Sequence, residues 1–304
     1  MRGDLTAAPL RHRVAVLSRL LYPYFLLMPV VVWLGVLVFY PVGSAIHFAF
    51  YSTRQLIPQA SDYVGVHNFL RMFTDRTVLH ALRTTLIYGA GTVLGPLGFG
   101  LVTALVMDAR LPGQRVLRVM VMIPWALPVV ASMLVWKWML APQGLVNYLL
   151  TTTHVLTRPE AWLDSPTLAL PTVIAIDTWS HFPFAAVGIL AALQGVDPAL
   201  YDASKVDGAN SAQTFSRVTL PSIAPVMGAL SLFLTIWSLQ RFTSIWLLTE
   251  GGPVDQTTVL AVRIYREAFI NFDAGYASAI ACMGLIVGAC AAAGFLALAN
   301  RPPA

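Results

Sequence analysis

Two short polar clusters interrupt long apolar stretches of this chain. The first is IDTWSHFPF (176–184), with Asp177, Trp179, Ser180, His181 and Phe184; the second is IWSLQRFTSIW (236–246), with Trp237, Ser238, Gln240, Arg241, Phe242 and Ser244. Aromatic faces stack on sugar rings, while amides, hydroxyls and charged groups bond the ring hydroxyls. Both clusters are therefore candidate binding groups for a polyhydroxylated solute. A second reading stands beside this one: Asp177 and Arg241 neutralise each other and act as glue between helices. His181 follows Asp177 by one helical turn, a spacing that suits metal or proton chemistry, yet no third ligand is evident and the other histidines are scattered. Nothing resembles H-E-x-x-H or a nucleophilic triad. There is no G-K-S or G-K-T, hence no phosphate-binding loop for ATP. The sequence therefore assigns this chain no catalytic residue, metal or cofactor.

The elements that position these clusters belong to a membrane. Of 304 residues, 57% are hydrophobic and 11% charged, against roughly 25% charged in a soluble domain. A span needs roughly 20 mainly apolar residues. Six segments qualify, at about 23–47, 78–106, 117–140, 168–193, 223–248 and 274–298. The expected fold is an all-α integral membrane protein, one domain over 1–304. Apolar residues from about 22 to 45 outrun the 7–15 or so expected of a cleaved signal, so this run reads as a retained first span. Proline and glycine inside spans, as in GAGTVLGPLGFG (89–100) and IPWALPVV (123–130), are tolerated when neighbours satisfy the backbone, and the glycines permit close helix contact. The glycine run does not have G-x-G-x-x-G spacing. Trp136, Lys137 and Trp138 read as an interfacial anchor. Cys282 and Cys290, about 12 Å apart on a helix, cannot bridge and read as packing residues.

Six spans put both termini on one side. That side holds Arg2, Arg11, Arg13, Arg19, Arg110, Arg115, Arg118, Lys205, Arg217 and Arg301; the other holds Arg54, Arg71, Arg76, Arg158, Arg263 and Arg266. The bias places the termini and the segment YDASKVDGAN (201–210) in the cytoplasm. The basic residues are scattered along span flanks, a pattern of lipid contact and not of nucleic-acid binding.

The longer stretch VDPALYDASKVDGANSAQTFSRVTLPSIAP (196–225) reads as two short helices joined at a glycine. Asp197 caps the first and Pro198 suits its first turn. Leu200, Ala203 and Ser204 form a small-sided face. Gly208 ends the helix in a left-handed conformation. Asn210 or Ser211 caps the second, which carries Phe215 and Val218.

This stretch resembles the EAA loop of binding-protein-dependent ABC-transporter permeases. Asp202-Ala203-Ser204 stands for E-A-A, Asp207-Gly208-Ala209 for D-G-A, and Phe215, Val218, Leu220-Pro221 and Pro225 continue the pattern. Asp202 in place of Glu keeps the charge on a shorter arm. YVGVHNFLRMF (63–73) is similar to the F-x-G-x-x-N-F stretch of MalF-like sugar permeases. LLTEGGPVDQTTVLAVRIYREAF (247–269) is similar to their L-T-x-G-G-P and I-Y-x-x-A-F stretches, and GYASAI (275–280) also fits.

The resemblance implies a permease subunit of a carbohydrate importer in a bacterial or archaeal plasma (inner) membrane. It implies a cytoplasmic ATPase dimer that carries Mg-ATP, docked on the coupling loop 194–222 around Gly208, with Asp202 pairing a basic group there. It further implies a second permease chain, and an extracytoplasmic solute-binding protein delivering to the loops about 48–77, 141–167 and 249–273. In MalF-like permeases the stretches matching 176–184 and 236–246 line the sugar site. Two rival readings rest on the buried charges. Arg241 suits an anionic solute such as a glycerol phosphate, and Asp177, His181 and Arg241 together suit an ion-coupled transporter acting alone.

Overall fold

The computed structural model describes residues 22–53, 61–109 and 112–299. The basic residues Arg2, Arg11, Arg13, Arg19, Arg54, Arg110 and Arg301 lie outside the described residues, so the charge bias of the two sides rests on sequence.

Helices dominate. In chain order they are α1 (Tyr22–Phe48), α2 (His67–Thr74), α3 (Arg76–Asp108), α4 (Gln114–Ala126), α5 (Val129–Met139), α6 (Leu145–Thr152), α7 (Ala169–Gln194), α8 (Pro198–Val206), α9 (Ser211–Leu239), α10 (Thr243–Thr249), α11 (Leu260–Tyr265, continued by the π turn Arg266–Ile270) and α12 (Ala274–Ala299). A two-stranded antiparallel ribbon, β1 (Tyr51–Thr53) and β2 (Ser61–Tyr63), follows α1. Among the described residues, five helices are long and apolar enough to cross a membrane, and six spans result if the bent pair α4–α5 is counted as one.

Two spans depart from the sequence expectation. The expected third span, 117–140, is broken: α4 and α5 meet at 94°. Leu127 precedes Pro128 and takes an extended conformation, ψ 139°, because the proline ring excludes the helical region for the residue before it. The expected fifth span, 223–248, is also two helices, α9 and α10, separated at Gln240–Phe242. A tight last turn closes α9, with the Gln240 and Arg241 amides donating to Trp237 and Ser238 carbonyls at 3.2 and 3.3 Å. Two π turns have a common cause. Gly35–Phe39 in α1 and Phe215–Thr219 in α9 each end shortly before a proline, Pro41 or Pro221. A proline has no N–H and its ring crowds the carbonyl four residues back, so the preceding amide reaches one residue further, Tyr40 to Gly35 and Leu220 to Phe215.

Helix α3, with 33 residues, runs about 50 Å. Asp75 caps its start by accepting from the Thr77 amide at 2.9 Å. Its partner is α7, and glycines set the contact. A Cβ at Gly91, Gly95 or Gly100 would lie 2.7, 2.3 or 2.7 Å from Ile174, Thr178 or Ala185 respectively. Positions rise together along both helices, so α3 and α7 run parallel, as second and fourth spans must. Gly188 against Leu230 seats α9 on α7, and Gly228 against Phe295 with Gly288 against Leu239 seats α12 antiparallel on α9. One core cluster fills the α3–α7–α9 interface around Ile189, Ile223 and Leu234; another surrounds Tyr88, Val173 and Ile245.

The expected aromatic anchor is divided. Trp138 is exposed, Trp136 packs on Trp179 at 5.2 Å, and Lys137 Nζ donates to the Leu247 carbonyl at 3.1 Å, at the C-terminal end of α10.

At the end of the molecule where α3 and α12 begin, the charges are paired. Arg71 bonds Asp273 at 2.9 Å, the Tyr276 hydroxyl donates to Asp75 at 2.8 Å, and Arg263 meets Glu267 at 2.5 Å. Asn68 Nδ2 donates to the Ala49 and Tyr51 carbonyls, both at 3.0 Å, and ties α2 to the ribbon.

Candidate functional site

The two helix breaks face one another. A cavity of about 410 Å³ lies where they meet, lined by Trp125, Val129, His181, Trp237, Gln240, Arg241, Thr243 and Ser244. A smaller hollow of about 140 Å³, lined in part by Pro124, Trp125, Ser132, Ser180 and His181, adjoins it. Broken helices suit such a place, because irregular backbone at membrane depth persists where it borders a cavity.

One wall is aromatic. Trp125 stacks on Phe184 with ring centres 6.3 Å apart, and Phe184 packs on Trp237 at 4.8 Å. The other wall is polar and centres on Asp177, whose carboxylate is buried behind the cavity. One oxygen accepts from Arg241 Nη1 at 2.9 Å and from the Ser244 hydroxyl at 3.1 Å; the other accepts from the Tyr88 hydroxyl. His181 Nδ1 lies 2.8 Å from the Asp177 backbone carbonyl. Arg241 Nη1 lies 3.2 Å from the same ring nitrogen.

The structure thus brings His181, Trp237, Gln240 and Arg241 to one cavity, with Phe184 packed on its Trp125 and Trp237 and Ser180 on the adjoining hollow. It places the others elsewhere. Trp179 packs against Trp136. Ser238 is buried and donates to the Thr235 carbonyl at 2.8 Å. Phe242 stacks on Trp246 at 5.3 Å and packs on Tyr265 at 4.9 Å. Asp177 and Arg241 pair, and Arg241 also lines the cavity. Sequence reasoning missed Tyr88, Trp125, Val129 and Thr243. The paired prolines of IPWALPVV were the available signal for Trp125 and Val129, since they mark a break; Tyr88 carried none.

The segment 196–225 has the helix–glycine–helix form. Asp197 caps α8 by accepting from the Ala199 amide at 2.9 Å, and Pro198 occupies its first turn. Gly208 has φ +73°. The Gly208 and Ala209 amides return to the Lys205 and Ser204 carbonyls at 3.1 and 3.0 Å, the Schellman closure. Asn210 and Gln213 then form a reciprocal capping box. The second helix is not separate, however: it is the first part of α9. Ser204 also stands apart from the small-sided face expected with Leu200 and Ala203, which are exposed. It is buried and its hydroxyl lies 3.3 Å from that of Thr214. Asp202, Ala203, Asp207 and Gly208 are exposed, and Ala209 and Phe215 half-buried. Asp202 pairs with Lys205 at 3.1 Å on the surface.

The loop 250–259 is held by charge. Arg266 bonds Asp255 at 2.5 Å and the Glu250 carbonyl at 2.6 Å, and the Thr258 hydroxyl donates to Asp255 at 3.0 Å. Burial works to raise the Asp255 carboxyl; the bonds from Arg266 and Thr258 outweigh it and hold the group below the ordinary carboxylate range. A depressed folded-state pKa contributes stability above the unfolded value, about 3.9, and loses it as pH falls through the folded value. Amide exchange in 250–259 is therefore expected to quicken below about pH 4 relative to the intrinsic rate, and Asp255→Asn to remove that acid-side step. An unchanged step in the variant would assign it to another group.

Residues 97–301 match the family described as binding-protein-dependent transport system inner membrane component. The chain is 31% identical over 288 residues to the trehalose/maltose transport system permease protein MalF of Thermococcus litoralis, covering 94% of each. It is 31% identical over 297 residues to the sulfoquinovosyl glycerol transport system permease protein SmoG of Agrobacterium fabrum, covering 97% of this chain and 96% of that one. Its fold is that of a chain in a bacterial ABC transporter involved in import of the acidic polysaccharide alginate, with TM-score 0.81, 22% identity and coverage of 96% and 100%. This chain is a member of the binding-protein-dependent transport system inner membrane component family, the ABC importer permeases.

Proposed function

We propose that the chain is the permease subunit of an ATP-driven importer for a sugar or related polyhydroxylated solute. The observation that carries this reading is the cavity at the two helix breaks. Its volume falls within the roughly 300–1,000 Å³ of small-molecule sites. Its Trp125 and Trp237, both packed on Phe184, offer faces for a sugar ring, and Gln240, Arg241, Thr243 and His181 offer hydroxyl partners. The names of the MalF and SmoG relatives support a carbohydrate cargo.

Energy comes from a separate cytoplasmic ATPase dimer, which binds Mg-ATP. It docks on the segment 194–222, with α8 and Gly208 outermost. Ser204 lies against Thr214, and Thr219 lies 3.4 Å from the Tyr201 hydroxyl, so α8 is fastened to the foot of α9. The head of α9 ends at Gln240, on the cavity. A push on α8 is thereby carried along one helix to the solute site, and the helices rock between inward-open and outward-open states. Driving such a pair of states from 1:99 to 99:1 takes about 5.5 kcal/mol. A second permease chain completes the pathway, and a solute-binding protein feeds it from the side opposite α8. Both termini then lie in the cytoplasm.

Gly208→Val tests the reading. A Cβ there meets nothing within 4 Å, so crowding is not the issue; the cost lies in φ +73°, about 1–2 kcal/mol for an ordinary residue and more for a β-branched one. Expressed with its neighbouring genes, the tagged chain is expected to capture an ATPase subunit from mild detergent, Gly208→Val to lose it, and Gly208→Asn, which tolerates this conformation, to keep it. Purification of the chain alone, with solute uptake into vesicles without ATP, would replace this reading by ion-coupled transport.

A further inference from the structure

We propose that Asp177 is the specificity-determining residue of the cavity: its carboxylate, positioned by Tyr88, cancels the charge of Arg241, so that the site takes uncharged solutes in preference to ionised ones. This rests on the carbohydrate reading above and names the class of solute within it.

Asp177 itself is only 1% exposed and lines neither of the two hollows at the helix breaks. Its carboxylate is consumed by three donors, Arg241, Ser244 and Tyr88. The Tyr88 bond comes from α3, the Ser244 bond from α10, and Asp177 stands on α7, so three helices converge on one charge. Arg241 is held through Nη1 alone; among the described residues its Nε and Nη2 make no hydrogen bond. The guanidinium therefore keeps donors for a solute hydroxyl while its charge is matched 2.9 Å away. An unmatched arginine in such a place would favour a carboxylate or phosphate, which it grips in a bidentate fashion. Screening by water is weak at a buried site, so the sign of the net charge here decides which ions the cavity admits. Among the described residues lining the cavity, Arg241 and His181 are the titratable groups, and no acid faces the solute.

The test is a charge cycle. D-Glucose, D-glucuronate and D-glucosamine share a ring and differ in charge. Their binding to the assembled transporter in nanodiscs can be followed through tryptophan fluorescence, since Trp125 and Trp237 line the cavity. The native protein is expected to bind glucose best of the three. Asp177→Asn should shift the glucuronate-to-glucose affinity ratio at least about tenfold toward glucuronate, and Arg241→Gln should shift the glucosamine ratio similarly toward glucosamine. The double variant should restore the native order. Tyr88→Phe should keep that order and weaken glucose binding several-fold. Opposite shifts from the two single variants cannot come from a merely structural loss, and Arg241→Gln and the double variant serve if Asp177→Asn does not fold. Saccharide binding with the two single variants shifting alike, or a native preference for glucuronate, overturns the assignment alone. Absence of saccharide binding in every protein overturns the carbohydrate reading, and the assignment with it.

Discussion

Asp177→Ala should cost about 3 kcal/mol or more of stability, and Asp177→Ala combined with Arg241→Ala should cost less than Asp177→Ala alone. Removing one member of a buried pair leaves the other charge unmatched, at about 3–5 kcal/mol. Here the orphan would be Arg241, whose side chain is 16% exposed, together with the hydroxyls of Tyr88 and Ser244. A lone guanidinium at membrane depth is costly on any scale, about 2.5–3.5 kcal/mol by insertion measurements. Removing both charges eliminates that penalty and leaves a cavity. Unfolding in mixed detergent micelles measures the difference. Two single losses that simply add in the double variant would mean that the pair does not act as a unit.

The spans are legible in the amino-acid sequence because their signal is local. Runs of apolar residues, the N-cap Asp197, the first-turn Pro198 and the left-handed Gly208 each act within a few positions, and the fold uses each as its residue type suggests. The breaks are half legible. Pro124 and Pro128 stand in view inside an apolar run, but a proline in a membrane helix is compatible with a kink or a full turn, and the 94° bend is settled by what packs around it. The break at Gln240–Phe242 has no proline; at it Arg241 reaches Asp177, 64 positions earlier. Tyr88 lies 89 positions from its partner, and a tyrosine in an apolar span carries no mark of what its hydroxyl will meet. The same limit explains Ser204 and Phe242. Helical phase around a short segment is readable, yet which side faces a neighbour is fixed by Thr214 in one case and by Trp246 and Tyr265 in the other. Residue types announce the chemistry of the site; long-range packing chooses which of them share a cavity.

The α3–α7 contact makes the other large effect, and it distinguishes glycine as a fitted piece from glycine as mere flexibility. Gly98 and Gly100 are two residues apart on one helix. At Gly98 an added Cβ meets nothing within 4 Å; at Gly100 it would lie 2.7 Å from Ala185 Cβ and 2.9 Å from the Ala186 backbone nitrogen. The first position tolerates a side chain, and the second has backbone on the far side that cannot turn away. Gly98→Val should therefore accumulate and transport like the native chain. Gly100→Val should push α7 outward, cost about 3 kcal/mol, at the upper end for overpacked cores, and abolish uptake, because α7 also carries Asp177 and His181. Small residues are what allow two membrane helices to approach so closely. Combining Gly100→Val with Ala185→Gly removes the 2.7 Å clash and leaves the one at 2.9 Å with the Ala186 nitrogen, so recovery should be partial. Thermal inactivation of the four proteins in lipid would decide it. Equal behaviour of Gly98→Val and Gly100→Val would show that the two helices do not meet as closely as this packing requires.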